Sequence, residues 1–276
     1  MMPAMNAPLA FDDLPDCGLT AQIRAFGAYA RTFYTGAAEH DFHLELKAEH
    51  SRNVLGHACA IAAAEDVFRA DAVRCRALLL AALYHDFGRF RQYDSYGTFR
   101  DAQSVNHAHM AVREVKRLRL LEGEAPRVRR LALAGIVLHN RFSVPAAMDA
   151  DARLVADAVR DADKLDIMRV MAAHLTGEGP VDPVIALHAA PSPEASPAIL
   201  EAVMARRLGA YADLATTTDF KLLVCGWLYD LNFPFSRQTA AAAGHLAALL
   251  ASLPATPQLA AFRSRFQKDL TAHAAP

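Results

Sequence analysis

In one stretch of the sequence an apolar run gives way abruptly to ionisable residues. In ALLLAALYHDFGRF, eight apolar residues from Ala77 to Tyr84 lead directly into His85 and Asp86. A helix that is apolar on every side is a buried helix. A carboxylate at its end loses much of its water, and an unpaired buried charge costs on the order of several kcal/mol. Arg89 and Arg91 offer one remedy, an ordinary ion pair. A metal ion offers another. By itself the dipeptide favours the ion pair, because two-residue motifs are weak.

Other ionisable residues also fall on apolar faces when the chain is wound at about 100° per residue. His107 aligns with Ala111, Val115 and Leu118, whereas His109 points to Arg113, Lys116 and Arg117. His139 ends the apolar run LALAGIVL. Asp163 interrupts a stripe made by Ala156, Val159, Ile167 and Val170; Asp157 and Asp161 project away from it and read as solvated, and Asp166 lies near its edge. His50 shares a face with Leu46, Val54 and Ile61. His43 and His57 lie on that same face two turns away, roughly 10 Å along the axis, so only one of the three can reach a given metal. Each residue alone reads as a core side chain. Together, four inward histidines and two carboxylates on successive helices form a nitrogen and oxygen donor set suited to Fe, Mn, Zn or Ni. Helical bundles build metal sites in this way, from side chains on facing helices.

Those residues require helices to carry them, and helix-period patterns dominate the chain. They predict helices over 19–34, 41–69, 71–87, 104–121, 126–140, 151–175, 197–215, 218–230 and 237–251, with a short one over 256–271. Ser104 is positioned to cap its helix and Pro126 suits a first turn. Gly88, Gly97 and the Pro145 region mark loops. The expected fold is all-α, a single domain over 1–276. It has a core at 41–175, a proline-rich loop or lid at 176–197 and C-terminal helices at 198–276. Hydrophobic residues make up 53% and charged residues 21%, enough to bury a large core and to exclude a mainly disordered chain. With 29 basic against 30 acidic residues, broad nucleic-acid binding is not expected. No apolar run is long enough for a bilayer, and the N-terminus lacks a signal core, so a cytoplasmic protein is expected. Cys17, Cys59, Cys75 and Cys225 are widely scattered and form no metal knuckle.

The order His50, His85-Asp86, His107, His139, Asp163 resembles the HD-domain superfamily, a group of all-helical, metal-dependent proteins that are mostly phosphohydrolases. KAEHSRNV, ALYHDFGRF, SVNHAHMAVREV, GIVLHNRF and RDADKLDI carry the likeness, over about 41–175. RFRQYDSYGTFRDAQSVNH further resembles a bacterial HD-domain subgroup. The resemblance selects His50 over its neighbours and implies the two-metal variety. The implied ligands are His50, His85, Asp86, His107, His139 and Asp163, with Asp86 bridging two divalent ions, Fe or Mn ahead of Zn, Ni or Mg. The implied reaction is hydrolysis of a phosphate ester, in a nucleotide or other small phosphorylated metabolite, by a metal-activated water. Developing charge would need cations. Arg89 and Lys164 are catalytic candidates beside Asp86, and Arg141 joins them as a substrate contact; Lys164 could instead neutralise the aspartates of RDADKLD. There are departures from the cyclic-dinucleotide branch. Its GYP tripeptide is absent, Asn140 follows His139, and position 46 is Leu rather than Glu. Two other readings compete: a mixed-valent di-iron oxygenase using the same ligand order, and a non-catalytic ligand-binding regulatory module. No membrane partner is expected, and a homo-oligomer is allowed.

Overall fold

The computed structural model describes residues 17–145, 147–177 and 181–274. The fold is all-α; among the described residues there is no strand, only an isolated parallel bridge between Ala190 and Thr216. In chain order the first helices are α1 (Thr20–Arg31), α2 (Ala38–Ala64), α3 (Asp66–Arg69), α4 (Ala72–Tyr84), α5 (Gly88–Tyr96), α6 (His107–Arg117), α7 (Pro126–Leu138) and α8 (Ala150–Leu175). There follow α9 (Pro197–Met204), α10 (Thr217–Gly226), α11 (Pro234–Ala242), α12 (His245–Ala251) and α13 (Pro257–Ala274). None of the helices in the described residues is long and apolar enough to cross a membrane. The chain forms two compact units, one ending at Asp163 and the other beginning at Lys164, so the boundary falls inside α8.

In the first unit α4 is the central helix. Asp71 caps it, accepting from the backbone N–H groups of Val73 and Arg74 at 2.9 and 3.0 Å. Every residue from Ala77 to Tyr84 is buried, with α2 and α7 packed against it. Gly135 on α7 makes that approach close: a Cβ there would meet Ala81 Cβ at 2.8 Å and Val155 Cγ1 at 3.0 Å.

Several local expectations are corrected. Gly88 does not interrupt the chain as a loop residue but opens α5. Its missing side chain lets α5 lie on the backbone of α6, where a Cβ would collide with the His107 carbonyl oxygen and sit 2.6 Å from the Ala111 nitrogen. Ser104 does not cap α6; its hydroxyl donates to the Arg100 carbonyl at 3.0 Å, and Asn106 is the cap, accepting from His109 N–H at 3.0 Å. The 41–69 helix breaks at Glu65, which is extended (ψ 121°). Asp161 is buried rather than solvated, because α8 is enclosed on nearly all sides over this stretch, from Val155 to Asp166.

Just past the His85-Asp86 pair, Phe87 and Phe90 enter an aromatic cluster with Phe26, Tyr29 and Phe33; Tyr29 and Phe87 stack at 4.0 Å. The Tyr29 hydroxyl also donates to the buried Glu114 of α6 at 3.1 Å. These contacts fix the turn that follows α4.

In the second unit, α9 packs on α10, and α11, α12 and α13 pack on one another. Thr216 and Asp219 form a reciprocal capping box on α10. The helix expected over 197–215 stops at Met204. Arg206 takes a left-handed backbone (φ 55°), and Arg265 donates to the carbonyls of Val203 and Met204. Trp227 is in the core, as are Phe262 and Phe266.

The two close glycines give a graded expectation. Gly135→Ala should destabilise by about 1–3 kcal/mol through overpacking. Gly88→Ala should cost more, because backbone cannot yield as a side chain does. Denaturant midpoints of the two variants against the parent chain check this ranking.

Candidate metal centre

Five helices and the turns at their ends bring the six expected ligands together. His50 comes from α2, His85 and Asp86 from the turn after α4, His107 from the start of α6, His139 from the end of α7, and Asp163 from α8. His50, His85, Asp86, His107 and His139 are all buried.

The atoms fall into two groups. On one side, His50 Nε2 lies 3.2 Å from His85 Nε2 and 3.1 Å from Asp163 Oδ1. On the other, His107 Nε2 lies 3.0 Å from His139 Nε2. Asp86 stands between them. Its Oδ2 is 3.7 Å from His50 Nε2 and 3.8 Å from His85 Nε2; its Oδ1 is 3.3 Å from His107 Nε2 and 3.8 Å from His139 Nε2.

Hydrogen bonds on the far side of the rings decide which nitrogen faces inward. His85 Nδ1 lies 2.8 Å from the Ala82 carbonyl oxygen, and His139 Nδ1 lies 2.7 Å from that of Ile136. His107 Nδ1 lies 2.8 Å from Asp101 Oδ2. Carbonyl and carboxylate oxygens only accept, so each Nδ1 carries the proton and donates it. Burial pushes the His85 pKa down to about 3, and burial with the nearby Arg89 charge pushes His107 down to about 4. Both rings are therefore neutral near pH 7 and present Nε2 lone pairs to the centre.

Burial opposes the charge on Asp86, yet the Lys47 ammonium and Arg89 guanidinium hold its carboxyl well below the usual range. Lys47 Nζ is 2.9 Å from Oδ2 and Arg89 Nε is 3.3 Å from Oδ1. Of the two nearby arginines, only Arg89 serves Asp86; Arg91 faces Glu114 at 3.4 Å. An ion pair thus satisfies the carboxylate. It leaves the His107 and His139 Nε2 atoms, 3.0 Å apart, facing each other beside the carboxylate. A cation accepting nitrogen and oxygen donors fits this set. His50, His85 and Asp163 form one group close enough to hold an ion, and His85, Asp86 and His139 form another.

Three residues of the centre, Lys47, Asp101 and Gln92, had escaped the sequence reading. Lys47 sits three positions before His50, one helical turn away and on the same side, a spacing that could have exposed it. Asp101 had no such signal, because it opens a single 3-10 turn, Asp101–Gln103, between α5 and α6, too short for a period to show. It accepts from His107, from Arg89 Nη1 at 3.1 Å, from Gln92 Nε2 at 2.9 Å and from Asn140 Nδ2 at 3.3 Å. Burial opposes the Asp101 charge, but the hydrogen bond and charge of His107 with those of Arg89 and Gln92 together outweigh it, lowering the pKa to about 2. Gln92 is fully buried and also bonds Ser104 Oγ at 2.8 Å and the Val105 carbonyl at 3.0 Å.

The remaining expected residues are placed differently. Arg89 is anchored at Asp86, Gln92, the Phe99 carbonyl and Asp101. Arg141 is exposed and lines an open cleft of about 340 Å³ with Asn106, His109, Asn140, Phe142 and Ser143. Asn106 and Asn140 are the chain neighbours of His107 and His139, so the cleft borders that half of the centre. Lys164 pairs with Asp230 within the second unit. His109 is exposed, and His43 is bound to the Tyr93 hydroxyl at 2.7 Å, away from the ligand group.

Residues 48–168 match a family model described as HD domain. No curated protein and no solved structure matches the chain. Metal-dependent hydrolases predominate among HD-domain proteins. The matched span begins just before His50 and ends just after Asp163, and so takes in all six converging residues. Through this segment, residues 48–168, the chain matches the HD-domain family.

Proposed function

We propose that the chain hydrolyses a phosphate ester of a small phosphorylated metabolite, with two divalent ions held by His50, His85, Asp86, His107, His139 and Asp163. The observation that carries the reading is the position of Asp86, whose two carboxylate oxygens each face a different histidine pair, at 3.7 and 3.8 Å on one side and 3.3 and 3.8 Å on the other. That is the arrangement a bridging ligand needs. Bound there, divalent ions would lower the pKa of a water and polarise a phosphoryl oxygen.

The protein's own groups support the same chemistry. Lys47 and Arg89 hold Asp86 ionised, so it is ready as an anionic ligand near neutral pH. Asp101 holds the His107 ring in the tautomer that turns Nε2 inward. Arg141 adds a cation to the adjoining cleft, where it could meet an anionic substrate. The ion pair with Asp230 supports a charge-balancing role for Lys164 rather than a substrate contact. Nitrogen and carboxylate donors also suit iron, so oxygenase chemistry on the same ligands is the competing outcome.

Chelation should abolish phosphate release from a panel of phosphomonoesters, and added Mn or Fe should restore it. Iron analysis with oxygen-uptake measurement on the protein as isolated separates the two chemistries: a substrate-dependent oxygen uptake without phosphate release would replace the hydrolase reading. Asp86→Ala should lose both metal and turnover.

His107→Ala should weaken metal binding by at least about tenfold, a scale known even for residues that only orient ligands. His109→Ala should leave metal content intact, whatever it does to turnover. Metal content by mass spectrometry decides, and the reverse pattern would exclude His107 as a ligand.

Asp101→Asn should weaken metal affinity by about 10–100-fold while the fold persists. Competition with a coloured chelator measures the affinity, and an unchanged value would deny Asp101 its orienting role.

A further inference from the structure

Two cations hold Asp86, and they are held differently themselves. Arg89 is fixed by four acceptors: Asp86 Oδ1, Gln92 Oε1, the Phe99 carbonyl and Asp101 Oδ1. Lys47, one turn before His50 on α2, has a single acceptor among the described residues, Asp86 Oδ2 at 2.9 Å. Its ammonium also lies 5.2 Å from the centre of the buried Phe99 ring, which Tyr93 backs at 4.8 Å. The ring attracts the charge but offers no acceptor atom. An ammonium has three N–H donors, so two are not taken by protein acceptors. The Lys47 side chain is 17% exposed against 4% for Asp86, so it runs from the surface to the carboxylate.

The oxygen that Lys47 touches is the one facing His50 and His85, at 3.7 and 3.8 Å, and Asp163 meets His50 at 3.1 Å. Lys47 therefore flanks that half of the centre, whereas the cleft with Arg141 borders the half of His107 and His139. The fixed charges of the centre are three carboxylates, Asp86, Asp101 and Asp163, against two cations, Lys47 and Arg89, which leaves one negative charge. Two divalent ions would turn this into an excess of three positive charges. A hydroxide removes one of them, and an anion with two negative charges removes the rest. A phosphomonoester is such a dianion above its second pKa of about 6. A phosphodiester carries one charge and would leave the buried centre unbalanced, which is costly.

We infer that Lys47 is a substrate contact, donating from its uncommitted N–H groups to an oxygen of the phosphoryl group, and that the substrate is a phosphomonoester dianion rather than a phosphodiester. This rests on the hydrolase reading above. One N–H stays on Asp86 Oδ2, so the bond that stabilises the carboxylate also brings the ammonium to the side where His50, His85 and Asp163 converge. Phe99 holds the charge without satisfying the other donors. Arg89, anchored by four acceptors, stays with Asp86 and Asp101. Lys47 thus selects for charge on the phosphoryl group.

Titration calorimetry on the full, manganese-loaded chain tests this, with inorganic phosphate as the dianionic probe and dimethyl phosphate as the monoanionic one. The parent chain should bind phosphate at least about tenfold more tightly than dimethyl phosphate. Lys47→Met, similar in length but uncharged, should keep the parent's manganese content by mass spectrometry yet bind phosphate about 10–100-fold more weakly. Lys47→Arg should restore most of the affinity. Circular dichroism checks folding, and Lys47→Gln takes the place of Lys47→Met should that variant not fold. Unchanged phosphate affinity in an uncharged variant that keeps its manganese would overturn the assignment. So would loss of manganese, or of the fold, in both uncharged variants, because Lys47 would then serve Asp86 alone. Dimethyl phosphate bound as tightly as phosphate by the parent would refute the substrate class. A parent chain that takes up no manganese or binds no phosphate removes the hydrolase reading and this inference with it, a failure seen without any variant.

Discussion

Asp86 places a negative charge at the end of a helix whose last eight residues are all buried, and it is itself only 3% exposed. The charge has to be compensated where it stands, because water cannot reach it in quantity. Lys47 and Arg89 supply part of the compensation from α2 and α5, and imidazoles from two further segments, His107 of α6 and His139 after α7, face the same carboxylate. Each partner sits on a different element. The packing of α2, α5, α6 and α7 around α4 is therefore the means by which one buried charge is tolerated. An uncompensated charge there would cost more than the hydrophobic contacts nearby could offset.

Orientation of the converging rings is delegated to a further layer of groups. Two of the rings are set by carbonyls three residues earlier in their own helices, Ala82 for His85 and Ile136 for His139. This device is local, and it works because both histidines lie where a helix ends and its last carbonyls lack helical partners. His107 begins a helix, so no such carbonyl is within reach. Asp101 takes that place, and Gln92, Arg89 and Asn140 hold Asp101 in turn. The close approach of Gly88 to the α6 backbone belongs to the same arrangement, because it sets how near His107 comes to Asp86.

The cleft beside His107 and His139 has a different character. Asn106, His109, Asn140, Arg141 and Ser143 are polar, and Phe142 is 62% exposed. The buried cluster of histidines and carboxylates is thus bordered on one side by an open, polar surface with a cation at its edge.

Much of this was legible in the sequence because helices convert spacing into direction. The phase that set His107 with Ala111 and Val115, and His109 with Arg113 and Lys116, corresponds to one buried and one exposed imidazole. The apolar run into His85 and Asp86 likewise announced a buried pair. Periodicity failed where its premises did. Asp161 was read as solvated on the assumption that α8 has one wet face, and that helix is covered on nearly all sides. Gly88 was read as a breaker, although its lack of a side chain serves a close contact between helices. Asp101 opens a single 3-10 turn, too short for a period to show, and its role depends on a neighbour that α6 brings to it. Local sequence determines which face of a helix is apolar and which ionisable residues lie on it. The partners they meet are decided by how the helices pack, since that is settled by the summed contacts of the whole core.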